Sequence, residues 1–223
     1  MPVSAHTRPA PPRRSSRRRP SRLLSLLPLL GVFALGFLLG RLSVSPPQQD
    51  TAVPLARLEP PEMPDWVQVE LLEENAYSRP GVSLPVVRGI VIHYVGNPGT
   101  TAAQNRSYFA SLADTHETHA SSHFVIGLDG EILQCVPLDE IAYCSNDRNA
   151  DTISIECCHP GEDGAFTGET YASLLKLTRF LVKEYALEEG SVIRHYDVTG
   201  KLCPLYYVEH AEAWEAFLRE VFS

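Results

Sequence analysis

The chain has 223 residues, 44% of them hydrophobic and 21% charged. That gives room for one full-sized domain with appendages and excludes a wholly disordered chain. The net charge of −8 is unevenly spread: eight arginines and no acid precede Asp50, while 27 acids face 11 bases from Asp50 onward. An acidic globular part excludes nucleic-acid binding through a basic face, so no nucleic-acid partner is expected.

Residues 1–22 form an arginine-rich tail. Leu23 to Gly40 (LLSLLPLLGVFALGFLLG) is an 18-residue uncharged run between Arg22 and Arg41. At about 1.5 Å per residue it nearly spans a hydrocarbon core of about 30 Å. A single-pass membrane anchor over residues 23–43 is expected, with a cleaved signal peptide, and hence a secreted product, as the rival. A signal peptide normally has an apolar core of about 7–15 residues and an A-x-A-like site, and none follows here. Seven arginines before the run against one after it place the tail in the cytoplasm and the remainder outside. Six prolines between Ser45 and Pro64 make residues 44–65 an extended spacer. No internal repeat is visible.

Residues 66–223 read as a single α/β domain. Arg88–Val95 (RGIVIHYV) is β-branched and apolar, and Gly96-Asn97-Pro98-Gly99 stops it. Thr101–Thr115 carries a moderate helix pattern through Ala102, Ala103, Phe109, Leu112 and Ala113. His123–Leu128 and Glu131–Val136 flank Asp129-Gly130, a strong hairpin signal. Thr152–Cys158 is a further strand. Thr167 is placed to cap a helix in which Tyr171, Leu174, Leu175, Leu181, Val182 and Tyr185 share a face. Ser191–Arg194 predicts a short strand. A last helix shows Ala211, Trp214, Phe217, Leu218 and Val221 on one side. Strands interleaved with helices argue for a mixed central sheet flanked by helices.

Eight histidines and five cysteines direct attention to metal or nucleophile chemistry. G-x-S-x-G, H-E-x-x-H, a P-loop and a dinucleotide fingerprint are all missing. His116, His119 and His123 would share a helix face, but Ala120-Ser121-Ser122 leads into the next strand, so the helix should end first. His93 lies inside a buried-looking strand, where an imidazole needs a partner or a metal. His195 follows another strand, with Lys201 and Cys203 shortly after in R-H-Y-D-V-T-G-K-L-C-P. Two histidines and a thiolate leave a fourth tetrahedral position for water, the pattern of a catalytic zinc site. Histidines that merely satisfy the core are the alternative. Glu156 sits in the otherwise apolar strand TISIECC, where a lone carboxylate is costly unless it is paired or protonated.

The segments GIVIHY (89–94), SSHFVIGLDG (121–130), NADTISIE (149–156) and RHYDVTGKLCP (194–204) resemble the type-2 N-acetylmuramoyl-L-alanine amidases. That family also contains phage lysozyme-type amidases and animal peptidoglycan recognition proteins. The likeness runs from about Trp66 to the C-terminus. It implies a mixed sheet flanked by helices, a Zn2+ cofactor, peptidoglycan as partner, and hydrolysis of the amide joining the muramic acid lactyl group to L-alanine. It implies His93, His195 and Cys203 as zinc ligands, Lys201 as oxyanion stabiliser and Glu156 as general base, with His123 the next candidate for the base. Phage-type members have a tyrosine where this chain has Ser122, which leaves the glutamate route. Many members have Trp-His where this chain has Tyr143-Cys144 along the groove. With the domain facing the cell wall, Cys135, Cys144, Cys157 and Cys158 meet an oxidising exterior. A Cys135–Cys144 bridge and buried free thiols are both open, and of the adjacent pair Cys157 and Cys158 at most one can face a given side. The competing functions are a membrane-tethered zinc amidase, a non-catalytic peptidoglycan-binding protein on the same fold, and a structural membrane protein. Cys203, Lys201 and Glu156 favour the first.

Overall fold

The computed structural model describes residues 59–223. The chain divides into two units, Met1–Val53 and Pro54–Ser223, and every described residue belongs to the second. The expected tail at 1–22, the expected anchor at 23–43 and most of the expected spacer lie outside the described residues. Among the described residues no helix is long and apolar enough to cross a membrane.

Among the described residues six strands form one sheet in the order β1-β4-β3-β5-β2-β6. They are β1 Gln68–Val69, β2 Gly89–Tyr94, β3 Phe124–Ile126, β4 Ile132–Gln134, β5 Thr152–Cys157 and β6 Val192–Arg194. Neighbours run parallel except the β3–β4 hairpin. The centre is held by β2 and β5, the two longest strands, whose β-branched runs suit a sheet covered on both faces. The hairpin turns at Asp129-Gly130, where Gly130 has φ 84°. An added Cβ there would lie 2.9 Å from the Glu169 carbonyl oxygen, so glycine is required twice over.

Five helices are described: α1 Ala102–Thr115, α2 Gly168–Glu184, α3 His195–Thr199, α4 Leu205–Glu209 and α5 Ala211–Val221, with a 3-10 turn at Asn146–Ala150. Thr101 opens α1 through a capping box with Gln104. Thr167 caps α2 by accepting from the Thr170 N–H at 3.0 Å. The buried stripe of α2 is Thr170, Leu174, Leu177, Thr178 and Leu181. Tyr171, Leu175, Val182 and Tyr185 pack only partly buried beside it, a rotation of the expected face toward Leu177.

Alternation along the strands separates two cores. Ile90, Ile92, Ile153, Ile155 and Cys157 pack with Leu174, Leu177, Leu181, Trp214 and Phe217 of α2 and α5. On the other side Val125, Leu133, Cys135 and Cys158 pack with Ala102 and Phe109 of α1. The adjacent cysteines Cys157 and Cys158 thus point to opposite faces, as strand geometry requires. All five cysteines are free. The Cys135–Cys144 bridge does not form, because Cys135 is buried in the core under α1 while Cys144 lies against Glu156.

Candidate metal centre and its surroundings

In β2 the isoleucines take one face, which leaves His93 on the other. Parallel register sets His93 beside Glu156 of β5, so strand pairing alone brings an imidazole and a carboxylate onto the same face. His195 is the first residue of α3, directly after β6, the strand that flanks β2 on its other side. The backbone N–H and guanidinium of Arg194 donate to the Asp197 carboxylate and fix the start of that short helix. Gly200, at φ 78°, ends it in a left-handed turn. The chain then doubles back until the Tyr196 N–H donates to the Cys203 carbonyl at 2.9 Å. Cys203 is thereby returned to the His195 end of the sheet. Ligand sites at the carboxyl ends of parallel strands arise in this way.

His93, His195 and Cys203 are all buried, and their donor atoms lie within 4.8 Å of one another. Cys203 Sγ is 3.8 Å from His93 Nδ1, and the two imidazole rings are 4.6 Å apart. The outer nitrogen of each ring is occupied: His93 Nε2 meets Ser145 Oγ at 3.0 Å and His195 Nε2 meets Asn146 Oδ1 at 2.8 Å. His195 Nδ1 is buried with no hydrogen-bond partner. A second set, His93, Cys144 and Glu156, is equally close. Cys144 S–H donates to Glu156 Oε1 at 3.6 Å, and Glu156 Oε2 is buried without a partner.

Burial governs the protonation states. It pushes Glu156 up to about 8, against the opposing pull of the Cys144 thiol and the Lys201 charge. It pushes the Cys203 thiol up to about 12, with Glu156 adding to the rise. The His93 imidazole is held well below its usual range by burial, with His195 and Lys201 adding, and His195 is lowered by burial and by Lys201. Lys201 itself is exposed, yet its charge reaches all four groups. Such a cluster of neutral, under-partnered donors fits a divalent cation, whose charge would convert the thiol to thiolate. Two imidazoles and one thiol, with one ring nitrogen buried and unpartnered, suit zinc.

The other expected residues fall elsewhere. His123 is buried, its Nδ1 at 3.0 Å from the Ser154 backbone N–H and its Nε2 at 2.9 Å from the Glu140 carbonyl. Both nitrogens are consumed, so it cannot substitute as the base. Ser122 is buried too, donating to the Phe124 and Ser154 carbonyls. His116 and His119 lie exposed beyond the end of α1, stacked on Tyr77. His119, Tyr143, Cys144, Asn146 and Asn149 line a pocket of about 290 Å³. Ser145, Asn146 and Asn149 are the functional neighbours that the sequence did not announce. Ser145 and Asn146 lie in a polar Cys-Ser-Asn-Asp-Arg-Asn run that reads as a loop, and Asn149, though it opens the family-like segment NADTISIE, was given no role.

A family model described as N-acetylmuramoyl-L-alanine amidase matches residues 83–205, more than half of the chain. The chain belongs to this family. The amidase CwlL of Bacillus licheniformis is 34% identical over 162 residues, covering 67% of this chain and 44% of that protein. BlyA of Bacillus subtilis (strain 168), also named an N-acetylmuramoyl-L-alanine amidase, is 29% identical over 168 residues, or 66% of this chain and 44% of its own length. The chain thus spans less than half the length of these curated relatives. Among solved structures, a mutant endolysin from Bacillus subtilis superposes with a TM-score of 0.59 at 27% identity, covering 70% of this chain and 97% of that one. The catalytic domain of XlyA gives a TM-score of 0.58 at 26% identity, covering 70% and 98%. The likeness to the family therefore resides in the domain that carries the His/His/Cys cluster.

Proposed function

We propose that this chain is a zinc-dependent peptidoglycan amidase that hydrolyses the bond between the lactyl group of N-acetylmuramic acid and L-alanine. One observation carries the reading. Glu156 stands in register with His93, presenting an unpartnered Oε2 beside three buried metal-ligating donors. His93, His195 and Cys203 would hold the ion, which when bound supplies Lewis-acid polarisation and a lowered pKa for water. Glu156 Oε2 takes a proton from the attacking water and returns it to the amide nitrogen as the C–N bond breaks. Burial raises the pKa of the Glu156 carboxyl and the charge of a bound cation would lower it again, toward the working pH that suits a group taking and returning a proton. Lys201 adds positive charge where the carbonyl oxygen becomes negative, a stabilisation felt in the transition state.

A peptidoglycan-binding protein without turnover would have no use for a buried Glu156 carboxyl and the Lys201 charge at this site. We further propose that residues 23–43 anchor the chain in the cell membrane as a single pass, that 44–65 act as spacer, and that the domain from 66 faces the cell wall. This rests on the uncharged run and the arginine bias. Protease added to intact spheroplasts should digest the domain, and a shortened soluble product in the medium would overturn the anchor. For the reaction, the purified full chain should contain one zinc and release L-alanine N-termini from peptidoglycan. Glu156→Gln should keep the zinc and lose roughly 10²–10⁴ in kcat. Lys201→Ala should lose about 10²–10³. Wild-type turnover in Glu156→Gln would remove that residue from the mechanism.

A further inference from the structure

We infer that residues 144–146, clamped by the side chain of Asn149, position the metal-binding and proton-transfer groups together, and that Asn149 is the positioning residue on which this depends. The inference rests on the metal-centred reading above and adds a device to it. Three consecutive residues each take one group of the site. Cys144 S–H occupies Glu156 Oε1 at 3.6 Å, Ser145 Oγ meets His93 Nε2 at 3.0 Å, and Asn146 Oδ1 meets His195 Nε2 at 2.8 Å.

Each contact decides which atom of its partner is left for chemistry. Asn146 Oδ1 can only accept, so His195 carries its proton on Nε2 and presents a lone pair at the orphaned Nδ1. The Ser145 hydroxyl can accept in the same way, leaving His93 Nδ1 toward Cys203 Sγ. Cys144 engages one oxygen of Glu156 and leaves Oε2 bare. Hydrogen bonds on the outer nitrogen of a ligating histidine fix its tautomer and orientation.

Three adjacent side chains reach three targets because the backbone there is bent and held. Asn146 adopts φ 53°, a left-handed conformation that asparagine tolerates better than most residues. Asn149 Oδ1 accepts both the Cys144 N–H, at 3.1 Å, and the Ser145 N–H, at 2.6 Å. The Arg148 N–H closes the turn onto the Ser145 carbonyl at 3.0 Å. The Asn149 oxygen is therefore bonded to the segment that touches the site. Removing it frees two part-buried amides and the geometry of three contacts at once.

The test is zinc affinity of the full chain, measured by chelator competition, with the cobalt-substituted visible spectrum as a second readout. Neither needs turnover. Asn149→Ala should bind zinc about 10–100-fold more weakly and shift the cobalt bands. Asn149→Asp, which keeps an acceptor oxygen in place, should recover most of the affinity. Asn146→Gly keeps the backbone conformation and removes only the oxygen on His195; it should weaken zinc by about 10-fold. Wild-type zinc affinity and an unchanged cobalt spectrum in Asn149→Ala, with only the Tm lowered, would reduce Asn149 to a structural role. Should Asn149→Ala fail to fold, wild-type affinity in both Ser145→Ala and Asn146→Gly would overturn the inference. Alanine release from peptidoglycan is scored separately, so an inert but zinc-tight wild-type chain would sink the proposed reaction and leave this inference standing.

Discussion

Along β5, Ile153, Ile155 and Cys157 join the apolar cluster with α2 and α5, while Ser154 and Glu156 point to the opposite face; β2 repeats the split with Ile90 and Ile92 against His93. The same two strands therefore build a packed wall on one side and an under-satisfied polar cluster on the other. On the wall, side chains are held by contact, and the energy is that of apolar surface removed from water. On the polar face, Glu156 Oε2 and His195 Nδ1 are buried without partners, an arrangement that destabilises the domain unless something binds there. The first face holds the second in place. Mutations on the two faces should accordingly fail in different measurements.

The sharpest contrast uses one change, cysteine to alanine, on each face. Cys203→Ala removes a proposed ligand and should lower the zinc content of the full chain from about one equivalent to near zero, with turnover lost alongside. Cys157→Ala, buried in the apolar cluster, should leave zinc and turnover per folded molecule intact and cost about 1 kcal/mol for a small cavity. Elemental analysis and urea unfolding of the two variants separate these outcomes. Full zinc retention in Cys203→Ala would dissolve the distinction.

A larger deletion on the wall should deepen the difference in kind. Phe217 is fully buried between α5 and the sheet, in ring contact with Trp214, Tyr207 and Tyr171. Phe217→Ala should cost about 3–5 kcal/mol in urea unfolding. The molecules that remain folded at low temperature should still bind zinc. If they lose metal affinity in proportion to stability, the two faces are energetically one unit.

This division also explains what the sequence revealed and what it hid. The central strands were legible because β-branched residues recur with a clean stop at Gly96 or a polar flank. α1 was legible from its apolar spacing, though not its Thr101 cap, and α2 because Thr167 caps it where expected. His93 and Glu156 stood out as polar residues in apolar runs, the donor chemistry of His93, His195 and Cys203 suggested a zinc set, and family likeness supplied a role for Lys201. The supports of the site were illegible. Ser145, Asn146 and Asn149 lie in a polar loop with no periodicity, and their importance arises only when the tertiary fold sets that loop against two strand ends. The short strand β1 and the five-residue helices α3 and α4 escaped for a related reason, since elements so short are stabilised by neighbours and not by their own pattern.

A smaller effect than the Phe217 deletion is expected of a histidine that belongs to neither chemistry. His123 is buried and fully partnered: its Nδ1 accepts the Ser154 backbone N–H, and its Nε2–H donates to the Glu140 carbonyl. Protonation would end the acceptance from the Ser154 N–H and leave Nδ1–H to turn to the Ser154 hydroxyl at 3.0 Å. Burial holds this imidazole down at about 4, against a usual value of 6.5, with Glu140 pulling modestly the other way. Glu140 is itself paired with Arg79 at 2.8 Å, which blunts that pull. Between the two values the unfolded chain binds the extra proton and the folded chain does not. The contribution is therefore fully present above 6.5 and is lost as the pH falls toward 4, amounting to about 3 kcal/mol over the whole window. About 2 kcal/mol of it should already be missing at pH 5. Urea unfolding of the wild-type chain and of His123→Gln, both in excess chelator at pH 7.5 and pH 5, isolates the term, because titrations common to both chains cancel in the difference. The wild type should lose about 2 kcal/mol more than the variant on acidification. Equal losses would mean that His123 is protonated within the fold, and that its contact with the Ser154 N–H is not the one described.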